Sequence, residues 1–401
     1  MAALRGLRIL ELAETVAGEY CGKLLADFGA EIIKLEKPGS GSPTRRLSPF
    51  KQISDKEGSG GPEHSALFAY LNTGKHSVEL ELTTATGKNT LSTLLENVDA
   101  VIDDHNAEWL RSLALDAASS AAGHPAVVVC SITNFGLEPP EDRQFSEDLN
   151  VFHSSGWGYH TPTGADPALP PLNGAGRFLP SYEAGLEAAL CITSALLEKQ
   201  QSGMGQFIEI SKQEVLASRL DYVLAQMVGG EMNVSTARTA FDLGGPAGIF
   251  PCKDGYIYIW LSAPTHWEGL RQLLDDTDWM NDFPDNWLER ECTSERVATC
   301  RHHLVEWLKT QNKQEAAEKA QKLGVTLVAV NNAKDLVASS QYQFRKYFKE
   351  LEHPVLGKTR YPTVPYHLSE TPAKPERCAP LLGQHNQSET VAATTTEGIA
   401  K

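Results

Sequence analysis

The sequence predicts an α/β fold in two domains, and three observations carry that prediction. Strand and helix patterns alternate through the first half, beginning with a complete strand, helix and strand in residues 7–36. A long helical pattern, Tyr182 to Lys199, stops at Ser202-Gly203-Met204-Gly205 and runs into a short apolar strand at Phe207, Ile208 and Ile210. After Gly229-Gly230 the rhythm changes, with a strand and tryptophan- and leucine-bearing helical stretches that form a smaller set of their own.

Leu7 to Leu12 is the first strand, and Ala17 to Phe28 the first helix, carried by Leu24 and Leu25 and closed by Gly29. Glu31 to Glu36 is the second strand. The loop Pro38 to Ser42, followed by Arg45 and Arg46, lies past its end, where open α/β sheets bind ligands, so phosphate contact and an ordinary solvated loop are both open readings. Residues 51–65 are polar and glycine-rich and read as a mobile loop. Lys75 to Leu82 is a strand, Thr84 to Leu95 a helix, Ala100 to Asp103 a strand and Ala126 to Thr133 a β-branched run.

Residues 156–178 lack periodicity and read as a loop leading to the long helix. In that helix Leu186, Ala189, Leu190, Thr193, Leu196 and Leu197 return at three- and four-residue steps, which predicts one buried face. Gln213 to Val228 is helical. In the second domain, Gly244-Gly245 precedes a strand at Gly255 to Leu261, helices carrying Trp267, Leu270, Leu304 and Trp307, and a strand at Val325 to Val330. The helix Asn332 to Ser339 leads back, and the proline-rich run His353 to Pro380 is expected to pack on the first domain. The polar tail, residues 387–401, is expected to be disordered.

Composition narrows the function. A formal charge of −15, from 36 basic and 51 acidic side chains, argues against a nucleic-acid surface, which draws on clustered Lys and Arg. No stretch approaches the ~18 uninterrupted apolar residues of a membrane span. The start lacks the apolar core of a signal peptide, and the 7 cysteines form no C-x-x-C pair and no zinc pattern, so no metal is expected and the location expected is cytoplasmic.

Five segments carry a resemblance. Leu7 to Gly41, Asn72-Thr73-Gly74-Lys75-His76-Ser77-Val78, the long helix with Ser202-Gly203-Met204-Gly205-Gln206, Asp254-Gly255-Tyr256 and Ala379-Pro380-Leu381-Leu382-Gly383-Gln384-His385 resemble, in order, the family III CoA-transferases. That group includes formyl-CoA transferase, carnitine CoA-transferase and α-methylacyl-CoA racemase. The resemblance implies a Rossmann-like large domain built from both chain ends, here 1–225 and 335–386, a smaller α/β domain at 230–330, and two interlocked chains. It implies CoA or acyl-CoA as substrate, no permanently bound cofactor, and phosphate contacts from Lys37, Lys75 and Arg45 or Arg46, with Lys75 foremost.

The family's transferases are expected to use an aspartate at the start of the long helix, because an ionised carboxylate attacks the acyl thioester and its acyl derivatives stay electrophilic. The matching residue here is Ser181. Glu183 does not replace it, since two helical residues turn a side chain about 200° away. The racemase acid and base match Glu147 and Ser181, which disfavours racemisation. The family's N-F-x-P-G stretch is replaced by Asp104-His105-Asn106-Ala107-Glu108, whose added acid is expected to repel an anionic ligand.

Three readings follow. The favoured one is a subunit of a heteromeric CoA-transferase acting on carboxylic, and preferably dicarboxylic, acids, paired with a homologous subunit that carries the aspartate, as in transferases acting on benzylsuccinate. The second is a homodimer using Asp148 or Glu147. The third is a non-catalytic acyl-CoA-binding or regulatory protein. A Ser181 hydrolase is a remote fourth, because no histidine partner is identifiable. The pair Glu147 and Asp148 also suits a plain helix start.

Overall fold

A computed structural model describes residues 2–51, 61–143, 146–160, 174, 176–230 and 246–387. Its six main strands are β1 (Arg8–Glu11), β2 (Glu31–Glu36), β3 (His76–Glu79), β4 (Ala100–Asp103), β5 (Val128–Thr133) and β6 (Phe207–Ser211). They lie in the order β3-β2-β1-β4-β5-β6, with every neighbouring pair parallel. The strands are buried on both sides because helices cover both faces: neighbouring Ile9 and Leu10 point to opposite sides and both are 0% exposed. The order reverses between β1 and β4. Loops leaving the carboxyl ends of these two strands diverge there and open a crevice, the usual ligand position in such sheets.

Two helices, Val16–Asp27 and Leu179–Ser202, pack together over one face of the sheet. Small residues allow their close approach: a Cβ on Gly185 would lie 2.5 Å from the Ala17 carbonyl oxygen. This packing corrects part of the buried face expected of the long helix, of which Ala189 and Leu196 are buried. Ala184, Ala188, Ile192 and Ala195 are buried, whereas Leu186, Leu190 and Leu197 are 48%, 59% and 61% exposed. Both sets satisfy helical periodicity, about 200° apart, and only the alanine and glycine face is flat enough for the contact. Gly203 ends the helix in the left-handed conformation at φ 73°.

The helix expected at Gln213 to Val228 is two, Lys212–Ala217 and Asp221–Val228. The chain divides into two units, the second spanning Ser235–Lys346. In it β7 (Ala247–Cys252), β8 (Gly255–Trp260) and β9 (Leu327–Val330) form an antiparallel sheet over a core that includes Trp267, Trp287, Leu304 and Leu308. From Tyr347 the chain belongs to the first unit again, rather than from residue 335. There β10 (Phe348–His353) and β11 (Gly357–Pro362) form a hairpin, and the His385 N–H donates to the Ser77 carbonyl at 2.9 Å. The large unit is thus built from both chain ends.

Most of the expected tail, residues 52–60 of the polar loop, residues 161–173 and 175 of the loop before the long helix, and Gly244-Gly245 lie outside the described residues. Among the described residues no helix is long and apolar enough to cross a membrane.

Candidate active site

A cleft of about 1020 Å³ opens at the carboxyl ends of β1, β4, β5 and β6. Glu14 and Thr15 line it after β1, Asp104 to Glu108 after β4, Asn134 to Leu137 after β5, and Lys212 directly after β6. Glu147, Asp148, Arg177 and Ser181 also line it.

Ser181 and Asp148 meet there because the long helix needs an acceptor at its start. Its first turn is Leu179-Pro180-Ser181, and its N-cap residue Phe178 makes no side-chain cap. The Ser181 N–H would be left without a partner inside the helix. Asp148 Oδ2 accepts it at 3.2 Å, and Asp148 Oδ1 accepts the Ser181 hydroxyl at 2.9 Å. The Lys212 ammonium completes the group, 3.1 Å from Asp148 Oδ1 and 3.0 Å from Ser181 Oγ. Since an ammonium only donates, the serine proton is directed at Asp148. Ser181 is 2% and Lys212 6% exposed.

Asp148 is therefore a carboxylate placed at the start of the long helix by tertiary contact, favoured there by the helix dipole. Glu147, the other acid considered, is the exposed N-cap residue of the helix Asp148–Ser154, where Asn150 Oδ1 accepts its N–H at 2.9 Å. It fits the plain helix-start reading. Glu183 stands apart, paired with Arg219 at 2.9 Å. Lys212 escaped the sequence reading, which began the following helix at Gln213. Its signal was a lysine immediately after an apolar strand, on the ligand-binding edge of a parallel sheet.

The basic residues expected at CoA phosphates are placed differently. None of Lys37, Arg45, Arg46 and Lys75 lines the cleft. Lys75 is 2% exposed, and its ammonium is held by Glu11 Oε1 at 3.0 Å, Glu11 Oε2 at 2.7 Å and the Glu19 carbonyl at 2.7 Å. Arg45 is 0% exposed, forked onto Glu36 at 2.7 and 2.8 Å and bonded to Glu63 at 2.9 Å. In this structure both donors answer internal carboxylates. With Lys34 and Glu19 they make a buried network of three acids (Glu11, Glu19, Glu36) and three bases (Lys34, Lys75, Arg45). The charges of these six fully buried groups balance, with the partly exposed Glu63 a further acid at Arg45, and this helps the network persist out of water. Lys37 and Arg46 are exposed beside β2. The lysine and arginine side chains that do line the cleft are Lys212, Arg111, Arg143 and Arg177.

The Asp104 acid also differs from expectation. Its oxygens accept the Glu14 N–H, the Thr15 N–H and the Thr15 hydroxyl, at 2.9, 2.9 and 2.6 Å. It ties the loop after β1 to the loop after β4. His105 beside it stacks on Trp109 at 3.8 Å, with Nδ1 2.7 Å from Asp103 and Nε2 3.6 Å from Glu14. Burial opposes the imidazolium, but the hydrogen bond to Asp103, the nearby Glu14 carboxylate and the charges of Asp103 and Asp104 outweigh it and raise the pKa to about 10. The replaced stretch thus brings a cation to the cleft as well as acids.

A sequence profile of CoA-transferase family III matches residues 4–386. The chain belongs to CoA-transferase family III. A formyl-CoA:oxalate CoA-transferase of Bradyrhizobium sp. (strain ORS 278) is 28% identical over 407 positions, covering 96% of this chain and 91% of that protein. A succinyl-CoA:mesaconate CoA-transferase of Haloarcula hispanica is 26% identical over 393 positions, covering 96% and 95%. The crystal structure of a CAIB/BAIF family protein from Brucella suis superposes with a TM-score of 0.78 at 26% identity, covering 96% of this chain and 97% of that one. The family assignment, the α/β fold and the use of CoA thioesters by family members agree with the sequence reading.

Proposed function

We propose that this chain moves CoA between carboxylic acids, with acyl-CoA bound at the cleft and the Asp148 carboxylate accepting the acyl group. One observation carries the reading: Asp148 Oδ2 accepts the backbone N–H of Ser181. The family chemistry implied by the resemblance needs a carboxylate at the start of the long helix. Residue 181 does not supply one, and Asp148 reaches the same backbone group from another helix. A carboxylate is ionised at neutral pH, and its anhydride and thioester remain open to attack. Arg111, Arg143 and Arg177 in the cleft, with exposed Lys37 and Arg46 beyond it, are the basic residues suited to CoA phosphates or a dicarboxylic acid.

A second reading keeps the chain as one half of a heteromer whose homologous subunit supplies the aspartate. Two observations favour it. Asp148 already receives three donors, which lowers its nucleophilicity, and the leucine row Leu186, Leu190 and Leu197 offers an uncovered apolar face for another chain. An interlocked dimer, of identical or homologous chains, uses that face in either reading.

The test is CoA exchange by the pure chain, with succinyl-CoA and formyl-CoA as donors and labelled dicarboxylic acids as acceptors. Turnover lost in Asp148→Asn supports the first reading. Turnover that appears only when a second homologous chain is present in the native complex supports the second. Binding of acyl-CoA with no transfer in either preparation leaves a non-catalytic binding protein.

A further inference from the structure

Among the described residues, Lys212 is the one cation of the cleft that touches both Asp148 and Ser181, and the sequence supplies no local reason for it: it lies 64 residues from Asp148 and 31 from Ser181. A surface lysine keeps its charge in water at no cost. This one is 6% exposed, so burying it needs a compensating partner, and its partners are the two residues at the helix start.

The two oxygens of Asp148 are not equivalent. Oδ1 receives the Lys212 ammonium at 3.1 Å and the Ser181 hydroxyl at 2.9 Å, whereas Oδ2 receives one neutral backbone N–H at 3.2 Å. Oδ2 keeps the more available electron pairs and is the oxygen suited to form a bond. Oδ1 is the oxygen on which negative charge is best held, since a charged donor and a hydroxyl already point at it.

We propose that Lys212 is a catalytic residue that, with the Ser181 hydroxyl, holds the oxyanion formed on Asp148 Oδ1 while CoA passes through the side chain. The inference rests on the reading in which Asp148 accepts the acyl group. In the first step Oδ2 attacks the thioester carbonyl carbon, the C–S bond breaks and CoA leaves as thiolate. The thiolate then adds to Cγ of Asp148, and the electron pair of the Cγ carbonyl moves onto Oδ1, between Lys212 and Ser181. When that pair returns, the Cγ–Oδ2 bond breaks and the donor acid leaves as its carboxylate. An aspartyl-CoA thioester remains; the acceptor carboxylate attacks its Cγ through the same oxyanion and expels CoA thiolate. The thiolate then attacks the acceptor carbonyl of the new anhydride, so that the acceptor leaves as its CoA thioester and Asp148 returns as a carboxylate. The donors are in place before reaction and need no reorganisation, the condition under which such donors contribute most. Ser181 is then a proton-bearing donor and not a nucleophile, which explains why a serine is compatible with transfer here.

The experiment is hydroxylamine trapping on the full chain during exposure to a panel of succinyl-CoA, formyl-CoA and oxalyl-CoA, with peptide mass spectrometry locating the hydroxamate. In the unaltered chain the hydroxamate is expected on Asp148. In Lys212→Met it should form about 10² to 10³ times more slowly, the usual loss for one oxyanion donor, with KM for acyl-CoA little changed, and Lys212→Arg should recover most of the rate. If Lys212→Met does not fold, Lys212→Gln carries the same comparison. A hydroxamate on Asp148 that forms at an unchanged rate in both neutral variants overturns the role of Lys212 and leaves the Asp148 reading standing. No hydroxamate on Asp148 in the unaltered chain overturns that reading and this inference together.

Discussion

The hydroxyl oxygen of Ser181 lies 2.9 Å from Oδ1 of Asp148, although 33 residues separate them in sequence. Asp148 thus brings a carboxylate to the start of the long helix from another helix. Asp148→Asn is expected to lower CoA exchange about 10⁴-fold or more, and Ser181→Ala about 10²-fold, because the first removes the acyl acceptor and the second one donor to it. Moving the carboxylate, by combining Asp148→Asn with Ser181→Asp, should restore part of the exchange. Steady-state kinetics of the three variants check this.

How much of this was legible in the sequence depends on how local the signal is. The strands of the main sheet, the long helix and its glycine stop were readable, because period-two and period-3.6 patterns and a left-handed glycine are properties of neighbouring residues. The side of the long helix that faces inward was not, since Leu186, Leu190 and Leu197 satisfy the same periodicity as Ala184, Ala188 and Ala195. Only the close fit of Gly185 against Ala17 decides it. The candidates Ser181 and Asp148 were visible one by one, but their contact and the arrival of Lys212 depend on three helix starts converging, which no sequence spacing encodes. Lys75 and Arg45 misled because a basic residue beside a strand end looks the same whether it faces solvent or an internal glutamate.

Lys75 answers Glu11 inside the protein, so its loss should act on stability. Lys75→Met is expected to destabilise the fold by about 3–5 kcal/mol, the usual cost of leaving one member of a buried ion pair uncompensated. Urea denaturation monitored by circular dichroism measures this. A normal denaturation midpoint accompanied by weakened CoA binding would return Lys75 to the phosphates.

His105 gives a pH signature. Its pKa in the folded chain is raised from 6.5 to about 10, so the folded state binds the proton more tightly than the unfolded chain does. The resulting stabilisation is fully present below about pH 6.5, declines as pH rises from there, and is lost once pH has passed about 10. In melting experiments between pH 6 and pH 10, the unaltered chain should lose its stability advantage over His105→Gln. A constant difference across that window would show that the imidazolium is not held.

The exposed leucine row on the long helix should be covered in solution. Leu190→Asp is expected to lower self-association, or association with a homologous chain, at least tenfold, since burying one leucine contributes about 1.5–3 kcal/mol. Sedimentation across a concentration series measures it. An unchanged mass would place the interface elsewhere.

The most direct measurement of the central claim follows oxygen through turnover. When an acceptor acid labelled with heavy oxygen in its carboxylate opens the aspartyl-CoA thioester, one of its oxygens is left behind on the enzyme's carboxylate. After many turnovers in unlabelled water, the peptide containing Asp148 is expected to carry heavy oxygen on that side chain, with Ser181 and Glu147 unlabelled. Continued turnover with Asp148 free of label, or label found only in a partner subunit's peptide, would contradict the claim that this chain accepts the acyl group itself.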